Sequence, residues 1–125
     1  MSTRIYGIKN CSTMKKAFDW LDQNQVAYTF HDYKKAGIDT DTLGRWCARG
    51  GWQALVNTRG TTWRKLDPAL QAITSDSDAI SVMVLHTSVI RRPVVETPSG
   101  ELLIGFDADT FARSLAPGDT SGSAA

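Results

Sequence analysis

Little in this chain of 125 residues points to a partner by composition. Lys+Arg number 14 against Asp+Glu 13, so no broad basic or acidic face exists to hold a nucleic acid or a membrane surface. Any anion site has to be a local cluster of arginines. No run of about 18 apolar residues is present to span a bilayer. Met1-Ser2-Thr3-Arg4 leads straight into apolar sequence with no signal-like segment. There are only two cysteines, Cys11 and Cys47, too few for the disulfide framework of a secreted domain. The expected home is therefore the reducing cytoplasm. The two histidines, His31 and His86, are far apart and lack acidic or thiol companions at ligand spacing, so no metal site is expected. Gly50-Gly51 follows a helical stretch and not a strand, which excludes a phosphate-cradling loop.

What is present is one cysteine in a telling place. In Ile5-Tyr6-Gly7-Ile8-Lys9-Asn10-Cys11-Ser12-Thr13-Met14 a short apolar strand enters a tight loop, and Cys11 falls where a helix begins. A helix N-terminus offers unsatisfied N–H groups and partial positive charge, which favour a thiolate. Lys9, Lys15 and Lys16 add cations nearby. The plain alternative is a buried structural thiol. Cys47, on the apolar side of a helix with Leu43 and Trp46, is read that way.

The chain is long enough for one domain with its own core. A strand is predicted over 4–8. Met14, Ala17, Phe18 and Leu21 then space as one helix face that ends at Asn24-Gln25. A second strand is predicted over 28–33. Strand, helix and strand in about thirty residues form a βαβ unit with parallel strands. A helix capped by Asp39 or Thr40 should stop at Gly50-Gly51. An apolar turn over 52–56 and a polar loop over 57–62 follow. Leu66, Leu70 and Ile73 share a spacing that predicts a helix with Pro68 in its first turn, and Ile80, Met83 and Val84 another over 78–86. Residues 90–96, the turn Thr97-Pro98-Ser99-Gly100 and residues 102–106 predict an antiparallel hairpin, closed by a helix carrying Phe111 and Leu115. The small polar residues 116–125 read as a disordered tail. Tryptophans Trp20, Trp46, Trp52 and Trp63 are expected to pack between helices and sheet.

The order βαβ, inserted helices, ββα is that of a thioredoxin-like α/β fold, a single domain over 1–115 with an insertion at about 38–88. Three segments resemble the family joining glutaredoxin-coupled arsenate reductases, Spx regulators and YffB-type proteins. They are Tyr6-Gly7-Ile8-Lys9-Asn10-Cys11-Ser12-Thr13-Met14-Lys15-Lys16-Ala17, Leu55-Val56-Asn57-Thr58-Arg59-Gly60-Thr61-Thr62-Trp63-Arg64-Lys65-Leu66, and Ile90-Arg91-Arg92-Pro93. The wording is nearest the YffB-type branch.

The resemblance implies that Cys11 is a nucleophile and that Arg92, before an expected cis-proline at Pro93, binds an anion. It places a further anion-binding arginine at Arg59. Lys9, Asn10, Ser12 and Thr13 fall in its active-site loop and are carried over as binding residues. Guanidinium groups beside a thiolate lower its pKa and grip carboxylates or oxyanions in pairs of hydrogen bonds. Three departures stand out. Gly7 occupies the place of an arsenate-reductase histidine, Ile104-Gly105-Phe106 that of a third arginine, and Met14 that of the second cysteine of a Cys-x-x-Cys switch. The resemblance thus implies a glutathione-dependent thiol oxidoreductase using one cysteine, with glutathione as co-substrate, glutaredoxin as a further thiol source and no tightly bound cofactor. Its alternatives are an arsenate reductase and an Spx-like regulator that binds a protein partner without turnover.

Overall fold

The computed structural model describes residues 3–9 and 11–115. In chain order the elements are β1 (Thr3–Gly7), α1 (Ser12–Gln23), β2 (Tyr28–Asp32), α2 (Tyr33–Ala36), α3 (Thr40–Gly50), α4 (Trp52–Leu55), α5 (Thr61–Arg64), α6 (Pro68–Gln71), α7 (Asp76–Leu85), a 3₁₀ turn (Thr87–Val89), β3 (Val94–Glu96), β4 (Leu102–Ile104) and α8 (Ala108–Ser114). They sort into two compact units. One takes the segments up to Asp32 and from Arg92 onward, and the other is Tyr33–Arg91.

The first unit is built on a four-stranded sheet in the order β2-β1-β3-β4. β1 and β2 run parallel, and β3 is antiparallel to both β1 and β4. This is the βαβ…ββα order expected from the sequence, the thioredoxin-like arrangement. Register places Ile5 opposite Phe30 on one side and Val95 on the other, with Leu103 beyond. Alternation therefore turns this whole row to one face. There Ile5, Val95 and Leu103 join Met14, Ala17 and Leu21 of α1 with Phe111 and Leu115 of α8 in one buried cluster. Aromatic edges close it. The Phe111 ring meets Trp20 at 5.5 Å and Phe106 at 4.9 Å, both edge-on, and Phe18 stacks on Tyr28 at 5.6 Å. On the other face Tyr6 donates from its hydroxyl to Glu96 Oε1 at 2.9 Å.

In the second unit α3 packs against α4 and α7. Asp39 caps α3, its carboxylate accepting from the Thr42 amide at 2.7 Å, and the Gly51 amide closes the far end on the Cys47 carbonyl at 2.7 Å. Leu43, Trp46, Cys47, Leu55, Val82 and Met83 are buried here.

Several local expectations change. The helix expected over 66–73 is only the single turn α6. Pro68 has no N–H to continue a helix from before it, so Leu66 instead ends the α5 turn through its amide bond to the Trp63 carbonyl at 3.1 Å. In α7 the buried residues are Ala79, Val82 and Met83, whereas Val84 is 36% exposed and Leu85 71%. That segment is apolar nearly all round, so spacing could not choose its face. The strand expected from residue 90 begins at Val94. Ile90 makes an isolated bridge to Val56, and a proline at 93 cannot donate to a ladder. Tyr33, read as the end of the second strand, instead opens the short helix α2. Short helices α4 and α5 occupy the predicted apolar turn and the end of the predicted loop. The expected tail at 116–125 lies outside the described residues.

Candidate functional site

β1 delivers the chain at Gly7 and α1 picks it up at Ser12, so Cys11 is the N-cap of α1. Its backbone is extended (φ −135°, ψ 133°) and its carbonyl accepts the first helical bond from the Lys15 amide at 3.0 Å. The long helices α3 and α7 use better caps at the same position. Asp39 and Ser75 both bond a third-position amide with the side chain. Cys11 has no side-chain oxygen and makes no conventional cap; its sulfur faces the Thr13 and Met14 amides, the second- and third-position donors. Nor does an acidic residue answer the positive end of α1, while α3 has Asp41 and α7 has Asp76 and Asp78 in their first turns. The amide dipoles at the start of α1 are thus left for the sulfur.

Arg92 supplies the cation that bears strongly on this thiol. It precedes Pro93 through a cis peptide bond, as the resemblance implied, at the point where β3 is about to begin. The half-buried Cys11 is pulled two ways. Burial pushes its pKa up, but the Met14 amide, the hydrogen-bonding Arg92 guanidinium and the Thr13 amide together outweigh it, and the thiol ionises more readily than an ordinary cysteine. Cys47 has no such help. Burial first, then the carboxylate of Asp76, raise its pKa.

The other expected site residues divide by place. Ser12 and Thr13 form the first turn of α1, Ser12 exposed and Thr13 partly covered, and Pro93 is buried. Lys9 is exposed, as are Lys15 and Lys16, and none of the three is among the groups acting most on Cys11. The cations that the sequence offers beside Cys11 are therefore replaced by Arg92 and two backbone amides. Asn10 lies outside the described residues. Arg59 belongs to the second unit, on an exposed loop. Its amide bonds Asn57 Oδ1 at 3.1 Å, and its carbonyl accepts from Arg64 Nη2 at 2.6 Å. Arg91 is exposed and lies outside β3. Sequence reasoning missed the Met14 and Thr13 amides as individual donors. The signal was available, since an N-cap faces the amides two and three residues on.

The departures from the arsenate-reductase pattern have local causes. A β-carbon on Gly7 would collide with Sδ of Met14 and lie 2.6 Å from its Cε. Gly105 has φ 83°, a region where an arginine would be strained.

Residues 6–114 match the sequence model of the ArsC family. The chain belongs to the ArsC family. It is 51% identical to the solved YffB protein, covering 92% of this chain and all of that one (100%), with a TM-score of 0.88. It is 41% identical to an arsenate reductase (ArsC) related protein from Brucella melitensis, covering 93% and 96% of the two chains, with a TM-score of 0.70. An uncharacterized protein of Haemophilus influenzae is 38% identical over 112 residues, which are 90% of this chain and 97% of that one. The fold is thus the thioredoxin-like α/β fold of this family, with a mixed sheet and inserted helices. At the level of the family the chain is an ArsC-related redox protein with a positioned cysteine, Cys11. Among the described residues no group of His, Cys, Asp or Glu is placed to hold a metal ion, and no helix is long and apolar enough to cross a membrane.

Proposed function

We propose that this ArsC-family chain is a glutathione-dependent thiol oxidoreductase working through one cysteine. The observation that carries the reading is Cys11 at the uncapped start of α1 with the Arg92 guanidinium on it, while Met14 fills the place of a second loop thiol. The Cys11 thiolate attacks one sulfur of a disulfide. The Cys11–S bond forms as the S–S bond breaks, and the departing thiolate takes the electron pair. A glutathione thiolate then attacks the mixed disulfide, regenerating the Cys11 thiolate and leaving with the other sulfur as oxidised product. Arg92 meets the charge on the sulfur and a carboxylate of glutathione. Lys9, Asn10, Ser12, Thr13 and Pro93 are assigned to binding the same ligand, and Arg59, in the second unit, keeps the anion-binding role that the resemblance gives it. The chemistry belongs to a reducing compartment, the cytoplasm, with glutathione or glutaredoxin as the outside thiol.

Arsenate reduction is the second reading, on the strength of Cys11 and Arg92. Two missing contacts weigh against it: Gly7 stands where the family histidine would be, and Ile104-Gly105-Phe106 carries no arginine. Incubation with oxidised glutathione across pH, followed by intact mass and peptide mapping, tests the proposal. The expected result is an adduct on Cys11 that still forms below pH 7 and is reversed by reduced glutathione. No adduct, or one confined to Cys47, overturns it and leaves a protein-binding role of the Spx kind. Saturable, arsenate-dependent glutathione consumption would move the assignment to the second reading.

A further inference from the structure

Gly7 and Met14 lie on different elements, one ending β1 and the other in the first turn of α1, and both are buried. Gly7 is not among the glycines with positive φ, so its backbone does not require glycine. What a larger residue there would meet is a neighbouring side chain. Any β-carbon at residue 7 would strike the Met14 thioether, which is fully buried and packed in the cluster with Ile5, Ala17 and Leu21. The absent side chain is therefore a socket, and Met14 is seated in it. The amide of that same Met14 is the donor that acts most strongly on Cys11.

We infer that Gly7 is a positioning residue for the Cys11 thiolate: its empty side-chain space seats Met14, and Met14 so seated fixes the first turn of α1 with its amide on the sulfur. The link runs from strand to helix through one contact. It joins two positions that a sequence reading treats as separate departures. A larger residue at 7 forces the thioether out of its place, and a smaller one at 14 leaves it without an anchor. In each case the amide donor loses its fixed direction while Cys11 itself is untouched. The inference rests on Cys11 being the reactive thiol.

The test is the pH dependence of Cys11 alkylation by iodoacetamide, located by peptide mapping, in wild type, Gly7→Ala, Met14→Ala and the double variant. At pH 6 the rate follows the thiolate fraction, and both single variants should fall about threefold or more below wild type. In the double variant the methyl added at residue 7 enters space that the thioether has left. Its loss should be clearly smaller than the product of the two single losses, the mark of a coupled pair. Circular dichroism and thermal unfolding run alongside. If Gly7→Ala does not fold, Met14→Ala carries the same prediction. Single variants that melt earlier but keep the wild-type pH profile overturn the inference, since packing alone would do that. Independent, fully multiplicative losses overturn it too. A wild-type Cys11 that titrates like an ordinary thiol instead brings down the functional reading beneath it, and that outcome is separate.

Discussion

Cys11 stands at the N-cap of α1, a helix of 12 residues, and Cys47 lies towards the end of α3, a helix of 11. Both are at least half buried, and burial raises the pKa of each. The outcomes are nevertheless opposite, because their surroundings differ in sign. Around Cys11 are two amides with no helical partner and a guanidinium. Around Cys47 are a completed helix, whose Gly51 amide already closes on the Cys47 carbonyl, and the carboxylate of Asp76. Reactivity is thus not a matter of exposure alone. It follows from leaving a helix start without a proper cap and without an acid, a local loss of stability that α3 and α7 do not incur.

The largest break in this comparison is Cys11→Ser. It should abolish every adduct with oxidised glutathione, as read by intact mass, and any activity left would sink the mechanism. The same change supplies the kind of cap that Ser75 already gives α7, so the variant should be more stable by about 0.5–1 kcal/mol in urea unfolding at acidic pH. Acidic pH is the right condition for a reason of sign. The folded Cys11 thiol ionises more readily than the unfolded one. Its contribution is present above the ordinary thiol pKa and is lost as pH falls through the folded value. A less stable serine variant would mean that the cap position of α1 is not available to an oxygen acceptor. Next in size is Arg92→Met, which removes the guanidinium and leaves the amides. Cys11 alkylation at pH 6 should slow by about tenfold, with Arg92→Lys in between, because a point cation keeps charge but loses the planar donor geometry. An unchanged rate would assign the whole effect to the helix start.

Much of this arrangement was legible in the sequence because it is local. A strand running into Cys11 and a helix, Asp39 three residues before the amide it caps, and a proline directly after Arg92 are patterns within a few residues of each other. The parallel β1–β2 pair and the antiparallel β3–β4 hairpin followed from the same short-range units. What could not be read depended on contacts through space. The apolar run of α7 gives no preferred face until α3 lies against it, which is why Val84 and Leu85 emerged on the exposed side. The fit of Met14 to Gly7 needs the strand and helix already packed. Lys9 shows the converse, since closeness in sequence to Cys11 does not put it among the groups that act most on the sulfur.

The smallest expected effect sharpens the comparison from the other side. Cys47→Ala should leave the Cys11 adduct and its pH profile as they are, and should lower stability at pH 7 by about 1 kcal/mol through lost burial. The pH dependence carries the argument. Because burial and Asp76 raise the folded pKa of Cys47, the neutral thiol is the form the fold favours. That contribution is present below the ordinary thiol pKa and is lost as pH rises through the folded value. Wild type therefore loses stability towards alkaline pH in a way that alanine, which cannot ionise, does not. The gap between the two in urea unfolding should be widest at neutral pH and should narrow by pH 10, with Cys11 titrating equally in both and cancelling. The two cysteines would then contribute pH slopes of opposite sign, rising with pH for the thiol at the helix start and falling for the thiol inside the helix. A gap that stays constant would mean that Cys47 ionises as freely folded as unfolded, and the contrast with Cys11 would rest on Arg92 and the amides alone.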